Sequence, residues 1–341
     1  MRNQQLIKKI ICCVTILLAA NSCLIETAKA PIKQYVTIYT DCLVKSNIKL
    51  FASFSKKERI RVRIVHLPTD TILSRLKKQK YNAFADILIL KSVFNMNQMQ
   101  KEKLLQPVKS WKIDELIAAN YKAQDNTWFG IGVDPYVFVS KNDSSTIISE
   151  FGDLLKSSNM DKWSTNFKTT KELVPLLAPF LFKKKNSAAK KWYYDFLANQ
   201  HTQEVTKNRN GIPIITTDVL LTSYSIYSKM AHKKDSITKN FNLHFSNQAK
   251  IGSYYNLICA GIIKQARNFE NAKLLLEYIS TAQINEKFNN YWNTFPISGS
   301  SRKHRFNYQN AYFHLCKQKT SKIIINYPTI AKIIANTKKK D

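Results

Sequence analysis

Glycine and proline are scarce in this chain, 7 and 9 of 341 residues, which excludes a collagen-like or low-complexity polymer. Of 6 cysteines only Cys42, Cys259 and Cys316 lie beyond residue 30, an odd number at spacings that suit neither a zinc site nor a disulfide framework, so stability must come from packing. A phosphate-binding glycine loop is missing, because Gly130-Ile131-Gly132 lacks its third glycine, and neither His-Glu-x-x-His nor Cys-x-x-Cys occurs. The 6 histidines stand alone, and helix capping accounts for Glu150 and Asp153 better than a general acid and base. Nothing positive points to an enzyme. Acidic residues are also few: 23 Asp and Glu face 53 Lys and Arg, leaving a net charge of +30. The lysines come in dispersed groups such as Lys56-Lys57, Lys77-Lys78 and Lys233-Lys234, so no nucleic-acid motif forms. Their spread reads as a solvated surface, or as attraction to an anionic ligand or anionic lipid headgroups.

What the chain has in quantity is apolar side chains, 44% of the total, and enough length for two lobes. It opens on Arg2, Lys8 and Lys9, then an apolar run from Ile10 to Ala20 that is about half the length of a membrane-crossing helix, the pattern of a secretory leader. Two ends fit. Ala28-Lys29-Ala30 makes residues 1–30 a signal peptide, while Ala20-Asn21-Ser22-Cys23 is similar to an acylation box that would anchor the chain by lipid at Cys23; a retained anchor is the alternative to both.

Beyond the leader, strands alternate with helices. Tyr35–Tyr39, Arg61–His66 and Ala85–Leu90 read as strands, with helical spacing over Ile48–Phe54 and after Thr69-Asp70. Such alternation implies a parallel sheet covered on both faces, whose ligands gather at the carboxyl ends of the strands. The loops at Asp41, Thr69-Asp70 and Lys91-Ser92 therefore face a prospective cleft. An extended run, Tyr136–Ser140, carries the first crossover. A second lobe follows, with helices around Glu150–Leu155 and Lys190–Ala198, a strand over Ile212–Thr217, and a helix from Val219 to about Lys229 capped by Asp218. Strand Asn242–Phe245 and the run Tyr255–Ile263 bring the chain back; Ala272–Ile279 and Ile284–Tyr291 are helices, and a basic tail with Ile323–Ile334 packs across the back. The expected organisation is lobe 1 over 31–133, lobe 2 over 134–250, a return to lobe 1 over 251–300, and basic C-terminal helices over 301–341.

The ordered pieces Val36-Thr37-Ile38-Tyr39, Ala85-Asp86-Ile87-Leu88, Trp128-Phe129-Gly130, Asn256 to Lys264 and Phe295-Pro296-Ile297 carry a family resemblance. Over residues 35 to 298 the chain resembles the iron(III)-binding periplasmic components of ABC transporters. The resemblance implies an α/β, two-lobed periplasmic binding protein fold of type II with interlobe crossing strands. It implies an extracytoplasmic monomer that closes on one small ligand, most simply iron(III), and hands it to an ABC permease in the inner membrane, with no nucleic-acid partner. Iron(III) is a hard ion that favours anionic oxygen, and its charge displaces the phenol proton of tyrosine.

At the positions where the family carries its metal ligands, this chain differs. The loop position after the first strand maps to Asp41, which retains an oxygen donor. The crossover tyrosine maps to Ser140, and the arginines before it to Asp134 and Tyr136. The paired tyrosines at the start of a second-lobe helix map to Leu221 and Thr222; Tyr224 and Tyr227 share one helix face nearby and substitute for them if that helix starts later. The candidate metal ligands are thus Asp41, Tyr224, Tyr227 and Tyr136, and further cleft candidates are Ser140, Asp134, Thr222 and Tyr254. For each tyrosine ordinary packing is the competing reading, and for Asp41 a turn or cap. Two other functions stay open: the same fold binding another small solute or an oxyanion, and a basic envelope interaction protein that has lost its ligand.

Overall fold

The computed structural model describes residues 34–78, 84–181, 184, 186–199, 215–233, 240–298, 305–308, 311–317 and 320–337. The leader, both of its expected ends and Cys23 lie outside the described residues.

Lobe 1 is built from βα units. β1 (Gln34–Thr40) leads through a 3-10 turn into α1 (Ala52–Glu58), then β2 (Ile60–His66), α2 (Thr69–Lys78), β3 (Ile87–Leu90) and α3 (Val93–Lys101). β1 lies between β2 and β3 and pairs with both in parallel, Val36 opposite Val62 and Tyr39 opposite Leu88. Strands of this kind are buried on both faces, which is why Ile87–Leu90 is apolar throughout. After β4 (Leu105–Gln106) and α4 (Trp111–Leu116) comes β5 (Phe129–Lys141), a strand of 13 residues.

β5 joins the two lobes. Its first half pairs with β9, ending at Pro135 opposite Tyr255, and its second half pairs with β7 and β8, beginning at Tyr136 opposite Ser223. The change of lobe therefore falls on a single peptide. Lobe 2 then supplies β6 (Trp163–Thr165), α5 (Thr170–Leu181), α6 (Asn186–Asn199), β7 (Val219–Ser223), α7 (Tyr224–Lys233) and β8 (Phe241–Phe245). β9 (Tyr255–Ile263) is the second crossing: Tyr136 N–H donates to the Tyr254 carbonyl at 2.8 Å where the chain leaves lobe 2, and β9 then runs antiparallel to β3. α8 (Phe269–Ser280) and α9 (Ala282–Trp292) complete lobe 1. The strand order β2-β1-β3-β9-β5-β7-β6 makes one sheet running through both lobes; a large hydrophobic core follows it, and a smaller cluster lies on β5 and β7 in lobe 2.

Four sequence expectations need correction. Val219–Ser223 is a strand, with the helix starting at Tyr224. Leu220 and Leu221 are both fully buried, one on each face of the sheet, and a doubly buried strand shows the same apolar run as a buried helix. Asp218 accepts from the Thr146 hydroxyl at 2.7 Å instead of capping that helix, and of the strand expected over 212–217, residues 215–217 are not strand while 212–214 lie outside the described residues. The C-terminal region begins with a hairpin, β10 (Arg305–Tyr308) and β11 (Ala311–His314), before α10 (Thr320–Ile325) and α11 (Tyr327–Thr337). Its aromatic residues favour strands, and Phe313 stacks on Phe245 of lobe 2 at 3.8 Å. Among the described residues no helix is long and apolar enough to cross a membrane.

Candidate functional site

In lobe 1 the carboxyl ends of β1 and β3 and the start of α2 come together. The Thr40 hydroxyl turns the chain after β1 by accepting from Cys42 N–H and Leu43 N–H at 3.1 and 3.2 Å. Asp41 then points across the strand ends. Its carboxylate accepts from the Thr69 hydroxyl at 2.8 Å and from Lys91 N–H at 2.8 Å, tying three loops into one surface. Burial pushes the Asp41 carboxyl above its ordinary range, against the pull of those two hydrogen bonds. Asn95, in the first turn of α3, donates to the Thr69 hydroxyl at 3.3 Å, and its own oxygen is buried without a partner, as is the Ser92 hydroxyl beside it.

The crossing strands form the floor. Asn256 of β9 donates to the Lys91 carbonyl at 3.1 Å and accepts from Val93 N–H at 3.2 Å, so the second crossing is bolted to the Lys91 loop. Opposite it on β5, Asp134 is 4% exposed and accepts from both the backbone and the hydroxyl of Ser225, at 2.9 and 2.6 Å. A buried carboxylate thus holds the first turn of α7, where the helix dipole favours negative charge.

Tyr224 is the first residue of α7, so the helix does start later than residue counting suggests. It is half-buried, with its ring 4.5 Å from Phe295 and 6.5 Å from Tyr227. Burial raises its phenol pKa, and the charge of Asp134 adds to that, while a hydrogen bond with Ser228 works the other way. Tyr227 is 5% exposed and packs with Val137, Val139 and Leu220.

The remaining candidates lie elsewhere. Tyr136 is in the core, edge-on to Phe167 at 5.6 Å, and burial holds its phenol far above the normal range. Ser140 is four residues further along β5, about 13 Å past the crossing; its hydroxyl meets His244 Nε2 at 3.0 Å. It is at the end of lobe 2 remote from the cleft because β5 runs outward from the crossing. Thr222 is fully buried beside Val137 with its hydroxyl unpartnered, and Tyr254 packs edge-on to Phe151 at 5.0 Å.

The helices α3 and α5 also meet across the gap between lobes, and two polar contacts among the described residues span it. Lys171, in the first turn of α5, pairs with Asp70 in the first turn of α2 at 2.5 Å, and the Ser228 hydroxyl donates to the Asn293 side chain at 3.2 Å. Sequence reasoning reached the Asp41, Thr69 and Lys91 loops through the strand-end rule. It missed Asn95, Asn256 and Lys171, whose only signal was polarity at a helix start or inside an apolar strand. Among the described residues no group of three or more His, Cys, Asp or Glu could hold a metal ion.

No protein-family model matches the chain. It is 21% identical to iron uptake protein A1 of Synechocystis sp. over 276 residues, 78% of this chain and 76% of that protein. Among solved structures it is similar to Trichodesmium FutA in complex with iron and citrate, with a TM-score of 0.77, 20% identity, and 89% of this chain and 99% of that one covered. A ferric binding protein from Campylobacter jejuni gives the same TM-score of 0.77, again at 20% identity, covering 89% of this chain and 99% of that one. The chain has the two-lobed, type II periplasmic binding protein fold.

Proposed function

We propose that this chain is the extracytoplasmic solute-binding component of an ABC importer, resident in the periplasm, which captures iron(III) between its lobes and delivers it to a permease in the inner membrane. The observation that carries the reading is the double crossing: β5 divides its pairing between two lobes, and β9 returns beside it. Two peptides at the crossings provide a hinge about which the lobes open and close on a ligand. The likeness to iron uptake proteins supports iron as cargo, and no reaction is assigned to the chain.

In this reading Asp41 supplies carboxylate oxygen from lobe 1, and Tyr224, with Tyr227 behind it, supplies phenolate from lobe 2. The raised phenol pKa of Tyr224 means that the metal charge, rather than the resting protein, must remove its proton. A second reading keeps the fold and replaces iron by an oxyanion or a polar organic solute. It is favoured by the buried, unpartnered Ser92 and Asn95 oxygens and by Lys91 beside them.

Titration with ferric citrate, followed by visible absorbance, separates the two. Iron bound through phenolate gives a charge-transfer band that Tyr224→Phe abolishes. A colourless protein that binds citrate or phosphate alone by calorimetry, with Asn95→Ala weakening it, supports the second reading and removes the first.

A further inference from the structure

Two of the lysine pairs dispersed in sequence are brought to one pole of lobe 1 by the topology. In a parallel βα unit each strand starts, and each helix ends, at the pole opposite the cleft. In lobe 1 the last helical turns there are basic: Lys56 and Lys57 on α1, Lys77 and Lys78 on α2. Each complements its own helix dipole, which explains single lysines. It does not explain the aromatic residues exposed among them.

Tyr35, 37% exposed at the start of β1, lies under Arg63 at 5.2 Å and Arg61 at 6.0 Å from the neighbouring β2. Phe84, 65% exposed just before β3, lies under Arg267 at 5.8 Å, just after β9. Both pairs belong to the strand-start pole. The acids nearby are few: Glu58 pairs with Lys57 at 3.3 Å, Glu102 with Lys77 at 2.7 Å, Glu270 lies in the first turn of α8, and Asp86 is buried, accepting from Thr37 and Asn268 N–H at 2.9 and 3.1 Å. The 33 residues preceding the described chain join it at Gln34, on this same pole.

We infer that this pole of lobe 1 docks on an anionic lipid surface, with the arginines and lysines at headgroup level and Tyr35 and Phe84 at the acyl boundary. Ring and guanidinium together match such an interface, where one end of each group is apolar and the other charged. Basic residues near anionic headgroups each add attraction that salt screens. The cleft, at the other end of the strands, then faces the aqueous phase, which is the orientation for capturing solute. This surface is independent of the cargo, and its failure would leave the cleft reading untouched.

The test is flotation of the full chain with phosphatidylcholine vesicles, with and without phosphatidylglycerol, at low and high salt. Neutral vesicles report any insertion by the N-terminal segment. The Arg61→Glu, Arg267→Glu double variant is expected to lower partition onto the anionic vesicles by roughly tenfold or more and to leave partition onto neutral ones unchanged. Reversing Lys162 and Lys190, exposed on lobe 2, should change it less than twofold by the same reasoning. Lys56→Gln with Lys78→Gln, which leaves both aromatic pairs intact, should reduce the same selectivity if the first variant misfolds. Equal losses from both lobes would reduce the effect to net charge and overturn the proposal. So would equal binding to neutral vesicles, or binding of duplex DNA with the same sensitivity to Arg61 and Arg267.

Discussion

The Asn289 side chain of α9 donates to the carbonyl of Ile131 at 2.8 Å, and Asn285 one turn earlier donates to the same oxygen at 2.7 Å. Ile131 is the residue at which β5 slips its register against β9, between Gly130 and Gly132, so its carbonyl is turned out of the ladder. Two buried amides take the place of the missing strand partner. Asn285 also accepts from Ile297 N–H at 3.0 Å, and Asn289 from the Thr294 hydroxyl at 2.7 Å, which locks the chain after α9 onto the crossing strand.

Asn289→Ala should therefore destabilise the protein by about 1–3 kcal/mol, since it strands the Thr294 hydroxyl and removes one of two donors from a buried carbonyl. Gly132→Ala acts on the same contact, because its Cβ would lie 2.3 Å from Asn289 Oδ1. The double variant should lose less than the sum of the two, measured by urea denaturation; strict additivity would show that the residues do not share this contact.

Lys171→Glu sets like charges against each other at the mouth of the cleft. The pair with Asp70 is largely exposed, so the melting temperature should hardly change, within about 1 kcal/mol of stability. The radius of gyration by small-angle scattering should rise without ligand and fall again on adding Asp70→Lys. An unchanged radius would mean that the pair does not bias closure.

Tyr327, 3% exposed at the start of α11, packs on Phe94 of lobe 1 at 5.5 Å while its helix lies along α5 of lobe 2. Replacing it by Ala opens a cavity between the lobes and should cost about 3–5 kcal/mol. The expected signature in hydrogen exchange is loss of protection in both α3 and α5; loss confined to α11 would reduce Tyr327 to a local anchor.

Acid should weaken lobe 2 through Asp153. Burial pushes its carboxyl upward, but hydrogen bonds from Lys156 at 2.6 Å and from Ser149 and Glu150 N–H at 2.9 Å outweigh that and hold it below the ordinary range. A lowered folded pKa gives stability that is present above the unfolded value near pH 4 and lost as pH falls through the folded one. Asp153→Asn should lower stability at neutral pH by about 1–2 kcal/mol and flatten its dependence on pH below about 4. An equally steep acid limb in the variant would place that dependence elsewhere.

Local pattern carried much of the lobe 1 fold and, in lobe 2, the helix around Lys190–Ala198 and the strand over Asn242–Phe245, but not the change from strand to helix at Tyr224. Ile60–His66 alternates buried and exposed side chains, and Thr69 heads an amphipathic helix, so both were legible. Leu220 and Leu221 are buried on opposite faces, which periodicity cannot tell from a helix, so Leu221 and Thr222, counted to a helix start, lie in the strand that precedes Tyr224. Ser140 stands where residue counting puts a cleft residue, yet strand rise carries it away from the crossing. Asn285 and Asn289 lie on an amphipathic helix, and nothing in α9 itself shows that a bulged carbonyl waits opposite.

The order of side chains along the chain determined the βα alternation, the burial of β1 and β3, and the loops at Asp41, Thr69 and Lys91 that open at the strand ends, since each follows from contacts within a few residues. Which tyrosine heads α7, which amides reach Ile131, how Lys171 meets Asp70 and how two separate lysine pairs come to one pole of lobe 1 were decided only by tertiary structure. These depend on groups 80 or more residues apart in some cases, as with Lys171 and Asp70 at a separation of 101, and no local preference encodes such a meeting.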